Sequence, residues 1–217
     1  MLYINSVQFL ILEEKYMGDV IIENNQSSGF KPMAAGTYAA RCVGVVDLGT
    51  RSTEWSGETK WQKKIVVLYE VWDKPEEPTV VQTWYTNSLY EGATLSQHLT
   101  AWRGRPFTEM EKQKFNITKD IVGVPCYATV TNYTANNGTE RHKISNISPL
   151  PKEVKCNDKH NECISFSLAD YISGNRETFN QLPENLRERV LEAQELQGTE
   201  NNDDGDGNNG ADDFTPF

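Results

Sequence analysis

The stretch TLSQHLTAW, residues 94–102, marks the point where the hydrophobic period of this chain changes. Leu95, His98, Leu99 and Trp102 fall at i, i+3, i+4 and i+7, one stripe of a helix, and Gly104 stops it. TEMEKQKF follows, with a capping box formed by Thr108 as N-cap and Glu111 three positions on. On either side the chain reads as strands. Upstream lie GTYAARCVGVVDLGT (36–50), QKKIVVLYEVWD (62–73) and TVVQTWYT (79–86). The polar loop RSTEWSGETKW and the turn KPEEP separate them. Downstream, VGVPCYATVTNYT (122–134) and RHKISNISPL (141–150) flank an Asn-Gly step, a strong hairpin cue.

Three strands, a helical connection and a two-strand hairpin make a mainly β chain. That order is expected of an OB-fold, a five-stranded, partly open Greek-key barrel, here with a helical insertion between strands 3 and 4. A small β-sandwich is the rival, and the helical block favours the barrel. In the first strand, Tyr38, Ala40, Cys42, Val46 and Leu48 are expected to share one face, with Arg41 on the other. After a polar stretch, LPENLRERVLEAQELQG places Leu186, Val190, Ala193 and Leu196 along one helix from Pro183 to near Gly198.

The expected organisation is an N-terminal extension (1–35), a barrel (36–151), a polar loop and helical extension (152–198), and a disordered acidic tail (199–217). A second beginning is legible at Met17, in MGDVIIENNQSSGFKP. The first sixteen residues are therefore expected to be an upstream-start artefact, or else an added edge strand.

The net charge of −10 argues against nucleic acid until its distribution is considered. Residues 36–150 hold 13 Lys/Arg against 12 Asp/Glu, and the remainder holds 8 against 19. The acidity therefore sits in the flanks, leaving room for a basic face in the centre. No apolar run is long enough to span a membrane, and VQFLIL lacks the basic flank of a signal peptide. Cys42 and Cys126 sit in apolar strand-like runs, as reduced core thiols do. A cytoplasmic location is expected, without membrane contact.

Catalytic signatures are missing. The chain has no phosphate-binding Gly-rich loop, no His-Glu-x-x-His and no Gly-x-Ser-x-Gly elbow. The expectation is a non-enzymatic protein without a cofactor. Cys156, His160 and Cys163 form a weak metal-like cluster, with too wide a cysteine spacing and no fourth ligand for a structural zinc. His98, on the helical stripe, is expected to be packed.

The aromatic residues are more informative. All five tryptophans fall between residues 55 and 102. Trp72 and Trp102 are expected to pack the barrel, and Trp84 is equally suited to packing or binding. Trp55 and Trp61 lie in a polar loop beside Lys60, Lys63 and Lys64, where exposed rings and cations suit single-stranded nucleic acid.

GTYAARCVGVVDLGT, KKIVVLYEVWD and LSQHLTAWRGRPFTEMEKQKFNITKDIVGVPCYATV together resemble bacteriophage OB-fold single-stranded-DNA-binding proteins. The run from Trp102 to Thr108, followed by an acidic helix and VGVPC, is the most specific part. FNQLPENLRERV resembles the helix that these proteins carry after the barrel. Separately, DDFTPF resembles the acidic tail of bacterial single-stranded-DNA-binding proteins, which recruits replication and repair proteins. Asp212 and Asp213 match its acids, Phe214 its hydrophobic position, Pro216 its proline and Phe217 its final aromatic. Thr215 departs from the pattern, because the familiar tail places its hydrophobic residue directly before Pro.

The resemblance implies sequence-independent binding of single-stranded DNA in phage replication, recombination or repair, in the host cytoplasm. The expected DNA-binding set is Arg41, Trp55, Lys60, Trp61, Lys63, Lys64, Trp84, Tyr85, Arg103, Arg105, Tyr127, Tyr133, Arg141 and Lys143. The tail is expected to bind replication or repair proteins, and a homo-oligomer is left open. The alternative is an adaptor or structural β-domain that uses the tail for protein contacts only. A nuclease, the third reading, lacks a metal-carboxylate motif.

Overall fold

The computed structural model describes residues 31–55 and 57–197, apart from the Trp55 side chain. The expected N-terminal extension and acidic tail therefore lie almost entirely outside the described residues. The chain is mainly β, as its periodicity implies. Strands β1 (Gly36–Trp55), β2 (Glu58–Val71) and β3 (Thr79–Thr86) come first. Helices α1 (Thr94–Arg103), α2 (Glu109–Lys114) and α3 (Ile117–Ile121) connect them to β4 (Pro125–Thr134) and β5 (Glu140–Pro149). The open antiparallel sheet has the order β3-β2-β1-β4-β5, and a short β6 (Ile164–Phe166) pairs with β1 in parallel. The first residues of β1, Gly36–Arg41, pair with β4, and β1 pairs with β2 from Ala40 to Trp55. One long strand thus serves both halves of the sheet.

The single face expected for β1 does not persist along the strand. Cys42 pairs with Tyr69, but Gly44 pairs with Leu68, so Val43 is an extra residue in a bulge. One added residue exchanges the two faces beyond it. Ala40, Cys42 and Val45 enter one core, with Ile65, Val67, Tyr69, Leu95 and Leu99. Val43, Val46 and Leu48 enter a second, with Val66, Leu68, Phe166, Leu186 and Val190. Gly44 permits this arrangement, because a Cβ there would stand 2.8 Å from the Ile164 carbonyl of β6. Between the two cores, β2 is buried on both faces from Ile65 to Val71. That accounts for its unbroken apolar run, the pattern of a strand covered on both sides.

Four short helices follow β6: α4 (Leu168–Ile172), α5 (Glu177–Gln181), α6 (Glu184–Leu191) and α7 (Gln194–Gln197). The expected stripe is present, with Leu186, Val190 and Ala193 fully buried and Leu196 packed against them. The expected single helix is broken at Glu192–Ala193. Ala193 N donates to Val190 O and Leu196 N to Ala193 O, i→i+3 bonds that tighten the turn. The break carries Glu195 to β1, where its carboxylate accepts from Thr50 N at 2.8 Å and Thr50 Oγ1 at 2.7 Å. Burial alone would raise the Glu195 carboxyl, but the Thr50 hydrogen bonds outweigh it and hold the carboxyl below its usual range.

α1 spans the two edges of the sheet. His98, 6% exposed, lies with Nδ1 2.8 Å from the Tyr85 hydroxyl on β3 and Nε2 3.2 Å from Ser145 O on β5. Trp102 donates its indole N–H to Pro125 O, at the start of β4. The Thr108–Glu111 capping box is formed at the start of α2. Among the described residues, no helix is long and apolar enough to cross a membrane.

Candidate nucleic-acid interface

The second half of β1, β2 and β3 form the floor of a groove of about 670 Å³. Residues opposite one another on paired strands share a face. Arg51 is opposite Gln62, Thr86 is opposite Lys64, and Trp84 is opposite Val66. Alternation therefore puts Arg51, Gln62, Lys64, Trp84 and Thr86 on one surface. The loop between β3 and α1 forms the wall and carries Tyr90, 76% exposed. That wall is tied down locally. Asn87 N donates to Lys63 O, Ser96 Oγ to Leu89 O, and Ala93 N to Tyr90 O.

The floor is polar at its centre. Lys64 Nζ donates to Gln62 Oε1 and Thr86 Oγ1, both at 2.8 Å. Partial burial holds the Lys64 ammonium below its ordinary pKa. Trp84, 46% exposed, lines the same groove as this network. Arg51, at the edge of the groove, is held by the C-terminal helices. It donates to Arg189 O at 2.5 Å and pairs with Glu192, whose carboxyl is held low chiefly by that bond.

The predicted DNA-binding residues fall into separate groups. Lys64, Trp84 and Tyr85 meet at the groove, but the Tyr85 ring is buried and bonded to His98, so it has no face free for stacking. Trp61 and Lys63 alternate away from Lys64 along β2. Trp61, 55% exposed, borders a smaller hollow of about 270 Å³ with Arg51, Glu192 and Gln197. Lys60 is exposed and 3.8 Å from Glu58. The Trp55 backbone belongs to β1, but its side chain is outside the described residues. On the β4–β5 hairpin, Tyr133 faces Arg141, and Lys143 Nζ lies 5.4 Å from the centre of the Tyr133 ring. All three are exposed, whereas Tyr127, further along β4, is half-buried.

Three predicted arginines have internal partners. Arg41 donates to Gly123 O and Asn157 O, both at 2.8 Å, and its Nε lies 3.7 Å from the fully buried Glu70. Arg103 lies over the Phe107 ring at 4.0 Å and donates to Glu111 at 2.6 Å. Arg105 donates to both Glu111 oxygens. The Arg105 bond, together with the Thr108 N–H, holds the Glu111 carboxyl far below its usual range. The conspicuous WRGRPFT run is thus a local structural knot around one carboxylate.

Cys156, His160 and Cys163 do not converge. Cys156 Sγ contacts Ala40 O, the His160 ring lies edge-on to Trp72, and Cys163 is exposed. Among the described residues, no group of three His, Cys, Asp or Glu side chains is placed to hold a metal ion. The backbone N–H groups of His160 and Asn161 instead donate to Glu70, tying this loop to the sheet.

Arg51, Gln62, Thr86 and Tyr90 are among the groove residues that sequence reasoning missed. Gln62 had a signal, two positions before Lys64 on the same strand face. Tyr90 had none, because its exposure depends on how the β3–α1 loop leaves the sheet.

No family model matches this chain, and no curated protein matches it.

Proposed function

We propose that this chain binds single-stranded DNA in the groove across β1, β2 and β3, without strong sequence preference. The observation that carries the reading is the exposed Trp84 ring, held on a rigid strand beside the Lys64 ammonium. A stacking ring next to a cation suits a base followed by its phosphate. Tyr90 on the wall offers a second ring, and Tyr133, Arg141 and Lys143 offer a further aromatic and basic surface on the hairpin.

The strand order, with a long β1 shared by both halves and α1 bridging β3 to β5, supports reading the sheet as a partly open OB-type barrel. In that architecture oligonucleotides bind on the face of strands 2 and 3, which is where the groove lies. The role is one of binding rather than catalysis, in phage DNA replication, recombination or repair in the host cytoplasm. The acidic segment with Asp212, Asp213, Phe214, Pro216 and Phe217, outside the described residues, would recruit replication or repair proteins. An apolar ring flanked by carboxylates suits a small pocket with a basic rim.

The test is an electrophoretic shift with oligo(dT), with duplex of the same length as control. The proposal expects a shift with the single strand that weakens as salt is raised, because phosphate contacts release counterions. No shift with any single strand, alongside intact partner binding by the tail, would favour an adaptor.

A further inference from the structure

The orientation of Gln62 is fixed by chemistry. Lys64 Nζ stands 2.8 Å from one head atom of the Gln62 amide. An ammonium can only donate, so that atom is the carbonyl Oε1. The hydroxyls of Thr53 and Thr86 lie within 3.5 Å of the same oxygen. A second Lys64 proton goes to Thr86 Oγ1 at 2.8 Å. The Gln62 carbonyl oxygen is therefore engaged by the floor's own donors. What remains to face the groove is the third Lys64 N–H and the two N–H groups of Gln62 Nε2, for which no protein acceptor is found among the described residues.

Trp84 sits one residue pair along the same face, opposite Val66, while Thr86 is opposite Lys64. Lys64 is thus the diagonal neighbour of Trp84, and such neighbours are about 7–8 Å apart, within reach of long side chains. Gln62 stands one pair further along β2, with its amide held against Lys64 Nζ at 2.8 Å. A base stacked on Trp84 thus brings its edge to a floor that offers donors.

We propose that Lys64 and Gln62 read the edge of the base stacked on Trp84, and that this subsite discriminates against adenine. The inference rests on the single-strand reading above and makes it selective at one position. Thymine, uracil, cytosine and guanine each carry a carbonyl oxygen that accepts from such a floor. Adenine carries none, and its N6 amine stands where guanine has O6. At that position donor meets donor. Adenine's remaining acceptors are the ring nitrogens N1, N3 and N7, so the floor pairs with adenine only if the base shifts from the place where the carbonyl bases are held.

Oligo(dA) against oligo(dT) is a poor test, because adenine tracts also stack on themselves. A cleaner pair is adenine against hypoxanthine, which keeps the purine frame, exchanges the N6 amine for a carbonyl and turns N1 from acceptor to N–H donor. Full-length protein is titrated with labelled oligo(dT), and with the same oligomer carrying a central block of either purine, following tryptophan quenching and anisotropy. The expected result is that the hypoxanthine oligomer binds about fivefold or more tightly than the adenine one, the size of one hydrogen bond. Gln62→Met should reduce that ratio below about twofold while oligo(dT) still quenches tryptophan, whereas Lys64→Met should weaken binding of every oligomer as well as reduce the ratio. Equal affinities for the two purine oligomers in the unmodified protein, with oligo(dT) bound, would overturn the inference and leave the single-strand reading standing. Failure of every oligomer to bind, oligo(dT) included, would sink both.

Discussion

His98 Nδ1 lies 2.8 Å from the Tyr85 hydroxyl, while Nε2 of the same ring lies 3.2 Å from Ser145 O. A carbonyl only accepts, so Nε2 carries the proton and Nδ1 accepts from Tyr85. The neutral imidazole thus joins β3 to β5, and burial lowers its pKa to favour that form. The folded state therefore binds fewer protons than the unfolded chain below about pH 6.5. Stability from this group is full above that pH and is lost as pH falls through the window below it.

His98→Leu should therefore destabilise by about 1–3 kcal/mol at neutral pH, because Tyr85 would be left buried without its acceptor. The loss of stability between pH 7 and pH 5 should become shallower in the variant. It should not vanish, because burial also lowers His142. Denaturant melts across that range check both statements.

Gly49 has φ of +67°, and a Cβ there would lie 2.5 Å from Leu168 Cδ2 and 2.8 Å from Ala193 Cβ. Gly49→Ala combines a left-handed backbone cost with overpacking. The expected penalty is on the order of 2–4 kcal/mol, or roughly 5–15 °C in Tm. Glu195 lies beside the same turn. Glu195→Ala should cost about 1.5–3 kcal/mol by removing a charged acceptor from Thr50. Because the folded Glu195 carboxyl is lowered, its contribution is present above the ordinary carboxyl range and is lost as pH falls through the folded value. The difference between Glu195→Ala and the unmodified protein should therefore shrink in acid.

Arg41 and Glu70 are cross-strand partners, and Glu70 is fully buried. Arg41→Ala leaves that carboxylate without its cation, which costs roughly 3–5 kcal/mol. Under conditions where the variant stays folded, oligo(dT) affinity should change less than about twofold, because Arg41 Nη1 and Nη2 already donate to Gly123 O and Asn157 O and the guanidinium is held against Glu70. A large loss of affinity with unchanged stability would place Arg41 on the DNA.

The parts of the fold legible in the sequence are those with an uninterrupted period or a specific turn. The α1 stripe from Leu95 to Trp102 and the hairpin at Asn137–Gly138 are both of this kind. The face exchange in β1 was hidden, because a bulge at Val43 adds one residue without changing composition. Gly44 was its only trace. At the candidate site, Lys64 and Trp84 both belong to the expected set, but the sequence groups Lys64 with Trp55 and Trp61 and leaves Trp84 equally suited to packing or binding. Strand pairing, not sequence proximity, brings the two together. The partnering of Arg103 and Arg105 with Glu111 was not legible, although the capping box that positions Glu111 was. A capping motif predicts a backbone contact and says nothing of which other cations the carboxylate collects.

Whether Trp84 stacks a base of single-stranded DNA beside Lys64 is decided by an equilibrium titration of oligo(dT) against Trp84→Ala. Trp84 is 46% exposed, so the substitution should leave the melting temperature nearly unchanged. Substituting a stacked Trp84 should cost about 1–3 kcal/mol in affinity, roughly 5- to 150-fold, with part of the tryptophan quenching gone. Unchanged affinity and unchanged quenching in a folded Trp84→Ala protein would contradict the stacking.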